Sequence, residues 1–217
     1  MKPRMTTSLS MGLLDSISSM FLQEREGDFI KLEDSDEAFG PGPLLVLYRV
    51  PAGIDDGEIR DMLEDGAPKA SKKGVTLYRI DQQEERDPLL LMKKEGDGKS
   101  VQEALAQIMD GSVVSVTPEV PSGSSVNLPN SSSAGGNGCP VLFFSGFENS
   151  EMMESYNILG NEIYMETGGA CSPACAKCVP NAMEKPLRQV LEEISGDHLS
   201  AIQEEKVKEE EEKSGQQ

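Results

Sequence analysis

Hydrophobic and polar positions fall into two blocks along this chain, and each block reads as strand, helix, strand, helix. Leu44 to Val50, LLVLYRV, is a continuous apolar run, the pattern of a strand buried on both faces. Pro51-Ala52-Gly53 ends it. Asp55 or Asp56 is placed to cap the helix that follows, because a short carboxylate accepts bonds from the free amides of a first turn. Ile59, Met62 and Leu63 give that helix one apolar face, and Gly66 with Pro68 stops it. Val75 to Ile80 predicts a second strand, and Leu89 to Met92 a short one after it. Ser100-Val101-Gln102-Glu103 is a capping box, in which Ser100 and Glu103 each satisfy an orphan amide. Val101, Ala104, Leu105 and Ile108 line the helix behind it, Gly111 closes it, and Val113, Val114 and Val116 suggest one more short strand.

The second block runs from Cys139 to Asp197. Val141 to Phe144 predicts a strand that turns out through Ser145-Gly146-Phe147. Asn149 or Ser150 caps a helix whose stripe is Met152, Tyr156, Leu159 and Ile163, at steps of four, three and four. Gly168-Gly169 ends that helix, and Ala174 to Val179 predicts a strand. Pro180-Asn181 leads to a last helix buried through Leu187, Val190, Leu191 and Ile194, with Pro186 confined to its first turn and Gly196 as its stop.

The pattern predicts an α/β protein of two small βαβα-like units. The final helices of the two match without a gap, Val101, Ala104, Leu105 and Ile108 against Leu187, Val190, Leu191 and Ile194. Two readings stay open: a pseudo-duplicated domain whose halves pair to cover one another, or the general likeness of any two small α/β units. The expected organisation is a disordered or targeting segment and acidic linker over 1–40, a first unit over 41–116, a flexible linker over 117–138, a second unit over 139–202, and an acidic disordered tail over 203–217. The linker is rich in Pro, Ser, Gly and Asn, too polar to pack.

Charge narrows the partners. Lys and Arg number 20 against 38 Asp and Glu, a net charge of −18. Such a surface opposes phosphate backbones and anionic lipid, so nucleic acid is set aside and a protein partner is expected. Trp is absent and aromatics are 5%, which disfavours aromatic stacking platforms. No apolar run approaches the ~20 residues of a spanning helix. Residues 1–21 carry Lys2, Arg4 and an apolar recurrence at Leu13, Leu14, Ile17 and Phe21 with one acid, Asp15. That composition fits either a short organelle address or an amphipathic tail docking on its own domain. A start at Met11 would present Gly12 in a myristoylation pattern. The expected location is intracellular, cytoplasmic or plastid.

All four cysteines lie in the second block. Cys171, Cys175 and Cys178 have the CxxxCxxC spacing of the iron–sulfur site in radical S-adenosylmethionine enzymes, where three thiolates in one loop hold a cluster. Those enzymes place it ahead of a large partial barrel, which is not the context here. A strand over 174–179 would also turn Cys175 and Cys178 to opposite faces. A zinc set completed by Cys139 is the other metal reading. The plainer reading is four ordinary buried or loop cysteines. His198, the single histidine, reads as a solvated residue after the last helix. No Gly-rich stretch matches a phosphate loop. The leading expectation is therefore a non-enzymatic binding or regulatory module with no cofactor. The alternatives are a zinc or iron–sulfur protein using Cys171, Cys175 and Cys178, and a small enzyme with its site at the strand ends near Gly146 and Asn181.

Over VLFFSGF, the helix after it, and ACAKCVPNAMEKPLRQVLEEI, the second block resembles a small bacterial family, domain of unknown function 3783. The carriers are Val141–Phe147, Pro180-Asn181 and Leu187–Ile194. The family usually has an aromatic where this chain has Met183, and fewer cysteines in its strand. The two-unit layout with GPGPLLVLY looks like plant and algal versions, which favours a plastid address for residues 1–21. The resemblance implies a fold and no activity.

Overall fold

A computed structural model describes residues 38–80, 87–90, 98–113 and 138–214, with side chains placed through Lys208. The expectations for the targeting segment, the acidic linker, the strand beyond Val113, residues 91–92 and nearly all of the 117–138 linker lie outside these residues. The elements are β1 (Leu44–Tyr48), α1 (Asp56–Gly66), α2 (Pro68–Lys73), β2 (Thr76–Arg79), α3 (Val101–Met109), β3 (Val141–Ser145), α4 (Asn149–Glu166), β4 (Ala174–Lys177) and α5 (Leu187–Ser214).

The four strands form one mixed sheet in the order β2-β1-β3-β4. β1 runs parallel to β2, β3 runs parallel to β4, and the two halves meet through an antiparallel β1–β3 pair. The expected α/β class holds, and the two blocks share one sheet. All five residues of β1 and all five of β3 are buried, because helices cover both faces. Leu44, Val46, Tyr48, Val141 and Phe143 face α3 and the first turns of α5. Leu45, Leu47, Leu142 and Phe144 face α1, α2 and α4.

The halves are related by a local two-fold. Val46 pairs across the β1–β3 seam with Phe143, the residue in its own position of the other half. Thr76 N donates to Pro43 O and Ala174 N to Pro140 O; Ile80 N donates to Leu47 O and Cys178 N to Phe144 O. The starts of α3 and α5 repeat the relation. Ser100 and Pro186 form an antiparallel bridge, flanked by Val101 N to Lys185 O and Leu187 N to Lys99 O. On the other face, the stretch 56–73, which holds α1, Ala67 and α2, is as long as the 18 residues of α4. Aligning Asp56 with Asn149 places buried Ile59 on Met152 and buried Ala70 on Ile163. Pro68 makes the difference. It lacks the N–H that a continuous helix would use, so the helix of the first half breaks and restarts with proline at its first position. The new start is capped from outside: the buried Glu151 carboxylate of α4 accepts Lys69 N at 2.6 Å and Ala70 N at 3.2 Å.

Three local expectations are corrected. Asp55 caps α1 in a box with Glu58, but neither Asn149 nor Ser150 caps α4. Glu148 occupies that position without a side-chain bond, and the Asn149 amide oxygen accepts Lys177 Nζ instead. Gly196 does not stop α5, which runs 28 residues to Ser214, about 42 Å. Residues 203–214 are accordingly helical where a disordered tail was expected. Their Glu- and Lys-rich composition has high helix propensity, so a helix already nucleated by packing propagates through them. Residues 88–90 form a turn, with Leu90 N bonded to Asp87 O, where a strand was expected.

Candidate functional site

The cysteines divide by position. Cys139 precedes β3, Cys171 precedes β4, and parallel pairing sets those starts side by side. The two form a disulfide with Cα atoms 6.1 Å apart. Cys175 is a free thiol packed against the α1–α2–α4 face, and Cys178 a free thiol buried on the α3–α5 face. Cys171, Cys175 and Cys178 are thus not brought together as the metal reading requires: one is covalently bonded elsewhere and the sheet separates the other two. Among the described residues no group of three or more His, Cys, Asp or Glu is placed to hold a metal ion. Burial pushes the Cys175 thiol up to about 12. It raises Cys178 as well, against a partial lowering by Ser145. Both are poor nucleophiles at neutral pH. The strand order carried the missed signal: a parallel β3–β4 pair puts Cys139 and Cys171 at one end.

The disulfide is held under the first half of α5. Ser195 Oγ donates to Cys139 O at 2.6 Å, and His198 Nε2 lies 3.1 Å from Ser172 O. His198 is therefore a half-buried packing residue within the helix, where a solvated residue beyond it was expected. Burial lowers its pKa from the ordinary 6.5, partly offset by the bond to Ser172. On the α4 side, Thr167 Oγ1 donates to Tyr164 O at 2.9 Å and lies 3.2 Å from Cys171 O, and Tyr156 OH donates to Pro173 O at 2.9 Å. Burial first, and the nearby Cys175 second, push the Tyr156 phenol up to about 12.

Among the described residues, the strand end near Gly146 is closely packed. Gly146 has φ 73°, its N–H donates to Phe39 O at 2.8 Å, and a Cβ there would meet Gly42 Cα at 2.9 Å. Asn181 is exposed on a short 3-10 turn, Pro180–Ala182. The antiparallel β1–β3 seam sends the carboxyl ends of the two halves in opposite directions, unlike the all-parallel arrangement in which open sheets place a ligand crevice.

The outward face of α4 is the least expected feature. Its inward stripe is as expected, with Met152, Leu159 and Ile163 buried and Tyr156 half-buried. Its outward side carries Met153, Ile158, Tyr164 and Met165, which are 41%, 37%, 43% and 65% exposed. In the two-fold-related stretch, the positions of Met153, Ile158 and Met165 are held by Arg60, Asp65 and Lys72, all exposed. Tyr164 stands in the position of Ser71. Beside this face lies a shallow depression of about 210 Å³, lined by Tyr156, Asn157, Gly160, Asn161, Tyr164 and Ser172. The hydropathy pattern of α4 alone shows the inward stripe; the outward contrast emerges when 56–73 is laid against 149–166.

Among the described residues no helix is long and apolar enough to cross a membrane. No protein-family model, no curated protein and no solved structure matches the chain.

Proposed function

We propose that this domain is a non-catalytic protein-binding module that acts through the outward face of α4. The observation that carries this is the contrast between the two-fold-related helices. The same backbone position carries a charge on the α1–α2 stretch and an apolar side chain on α4 at Met153, Ile158 and Met165. A helix face that packs only inward has no physical need of them, and clustered exposed apolar side chains mark interaction surfaces. Methionine suits the role because its flexible thioether adapts to a partner.

Site-specific photo-crosslinking in the native cell tests the reading. A photo-reactive residue replaces Met165 in one variant and Lys72, its counterpart, in another. A discrete adduct from 165, absent from 72 and lost when Met153→Arg is added, supports the function. Equal adducts from both positions, or none from 165, overturn it.

A further inference from the structure

The outward face of α4 also has a sign. The helix contains no lysine or arginine, and Glu154, Glu162 and Glu166 stand exposed among its apolar side chains. The packed neighbour α1 adds exposed Glu58, Asp61, Glu64 and Asp65 against Arg60; the bases of α2, Lys69, Lys72 and Lys73, sit at the other end, where Lys69 pairs with Glu148 ahead of α4, and acids remain in excess over the two helices and α4. At 100° per residue Met153, Asn157 and Tyr164 fall along one edge of α4 and Ile158 and Met165 along the other, with Glu154 between them. Ile158 and Met165 are two turns apart and Met153 and Tyr164 three, spans of about 10 and 16 Å. Those are the spacings at which a second amphipathic helix presents its own anchors.

We infer that the partner element is a basic amphipathic helix, with apolar anchors set between lysines or arginines. The inference rests on the reading of α4 as an interaction surface and names the chemistry that fits it. A second copy of this chain fits poorly, because it would bring Glu154, Glu162 and Glu166 against the same acids. Nucleic acid and anionic lipid are repelled by the same charges.

The test uses the full chain and a labelled helical peptide of leucine and lysine, with a leucine–glutamate peptide of the same pattern as control, read by fluorescence anisotropy. The leucine–lysine peptide binds saturably, and more weakly as salt is raised. Met153→Arg with Met165→Lys weakens it at least tenfold, and the leucine–glutamate peptide does not bind. No binding of the basic peptide overturns the inference, as do equal affinity for the double variant and equal binding of the acidic control. Should that variant misfold, Glu154→Gln with Glu162→Gln keeps the apolar anchors and is expected to lose at least threefold; no loss is contrary. A discrete 165 adduct in the cell without peptide binding leaves the surface standing and removes the basic partner. Peptide binding that maps to α5 in place of α4 removes both.

Discussion

Ile158 on α4 stands where Asp65 stands on α1, at exposed positions related by the two-fold that pairs Val46 with Phe143. The inward residues of the two helices obey one rule, apolar against the sheet, and the outward residues obey two. Exchanging Met153, Ile158 and Met165 for their charged counterparts (M153R, I158D, M165K) removes apolar exposure and breaks no packing. Surface changes of this kind fall within about ±0.5 kcal/mol each. We expect the triple variant to unfold in urea within about 1.5 kcal/mol of the parent, and M153R with I158D, carried together with the photo-reactive residue at 165, to lose the adduct formed from this face. A collapse in stability would show that these side chains are structural.

Gly66 lies where α1 crosses α4. A Cβ there would sit 2.7 Å from Ser155 Cα, and backbone cannot step aside as a flexible side chain can. Gly66→Ala should destabilise by about 1–3 kcal/mol, although alanine is the better helix former. A urea midpoint equal to or above the parent's would contradict the close approach.

The Cys139–Cys171 bond closes a loop between residues 32 apart in sequence that contains β3 and α4. Constraining the unfolded chain on that scale stabilises by about 2–4 kcal/mol. Reduction, or Cys139→Ser, should lower the unfolding midpoint accordingly. It should also raise amide exchange first over 167–178, where the bond, Thr167 and Tyr156 hold the approach to β4. In the unreduced native protein, Cys175 and Cys178 should react slowly with iodoacetamide. Fast labelling of either thiol at neutral pH would contradict its burial.

His198 links stability to pH. Its folded pKa lies below its unfolded value because burial disfavours the imidazolium. The unfolded chain therefore binds the proton more tightly. The contribution of the neutral ring is fully present above about pH 6.5 and is lost as pH falls towards the folded value. His198→Gln should flatten the stability profile between about pH 7 and 5. An identical slope in parent and variant would show that the ring titrates as if free.

Much of this fold is written in local patterns. The runs 44–48 and 141–144 give strands because every residue is aliphatic or aromatic, and the stripes of α3 and the start of α5 agree because both pack on one sheet face. Boundaries failed where a tertiary partner decided them. Asn149 looked like a cap, but Lys177 engages its side chain. Gly196 looked like a stop, but nothing lies within 4 Å of a Cβ built there, and the residues beyond it favour helix. That misreading also moved His198 out of the helix. The CxxxCxxC spacing pointed along the chain to Cys175 and Cys178, whereas the bond of Cys171 is decided across the sheet by the pairing of Val141 with Ala174.

Hydrogen exchange of the domain bound to the partner captured from Met165 tests the central claim most directly. Protection confined to α4 and the neighbouring 167–173 segment, with α1 exchanging as in the free protein, is the predicted result. Protection over α1 or the 199–214 part of α5, with α4 unchanged, would contradict it.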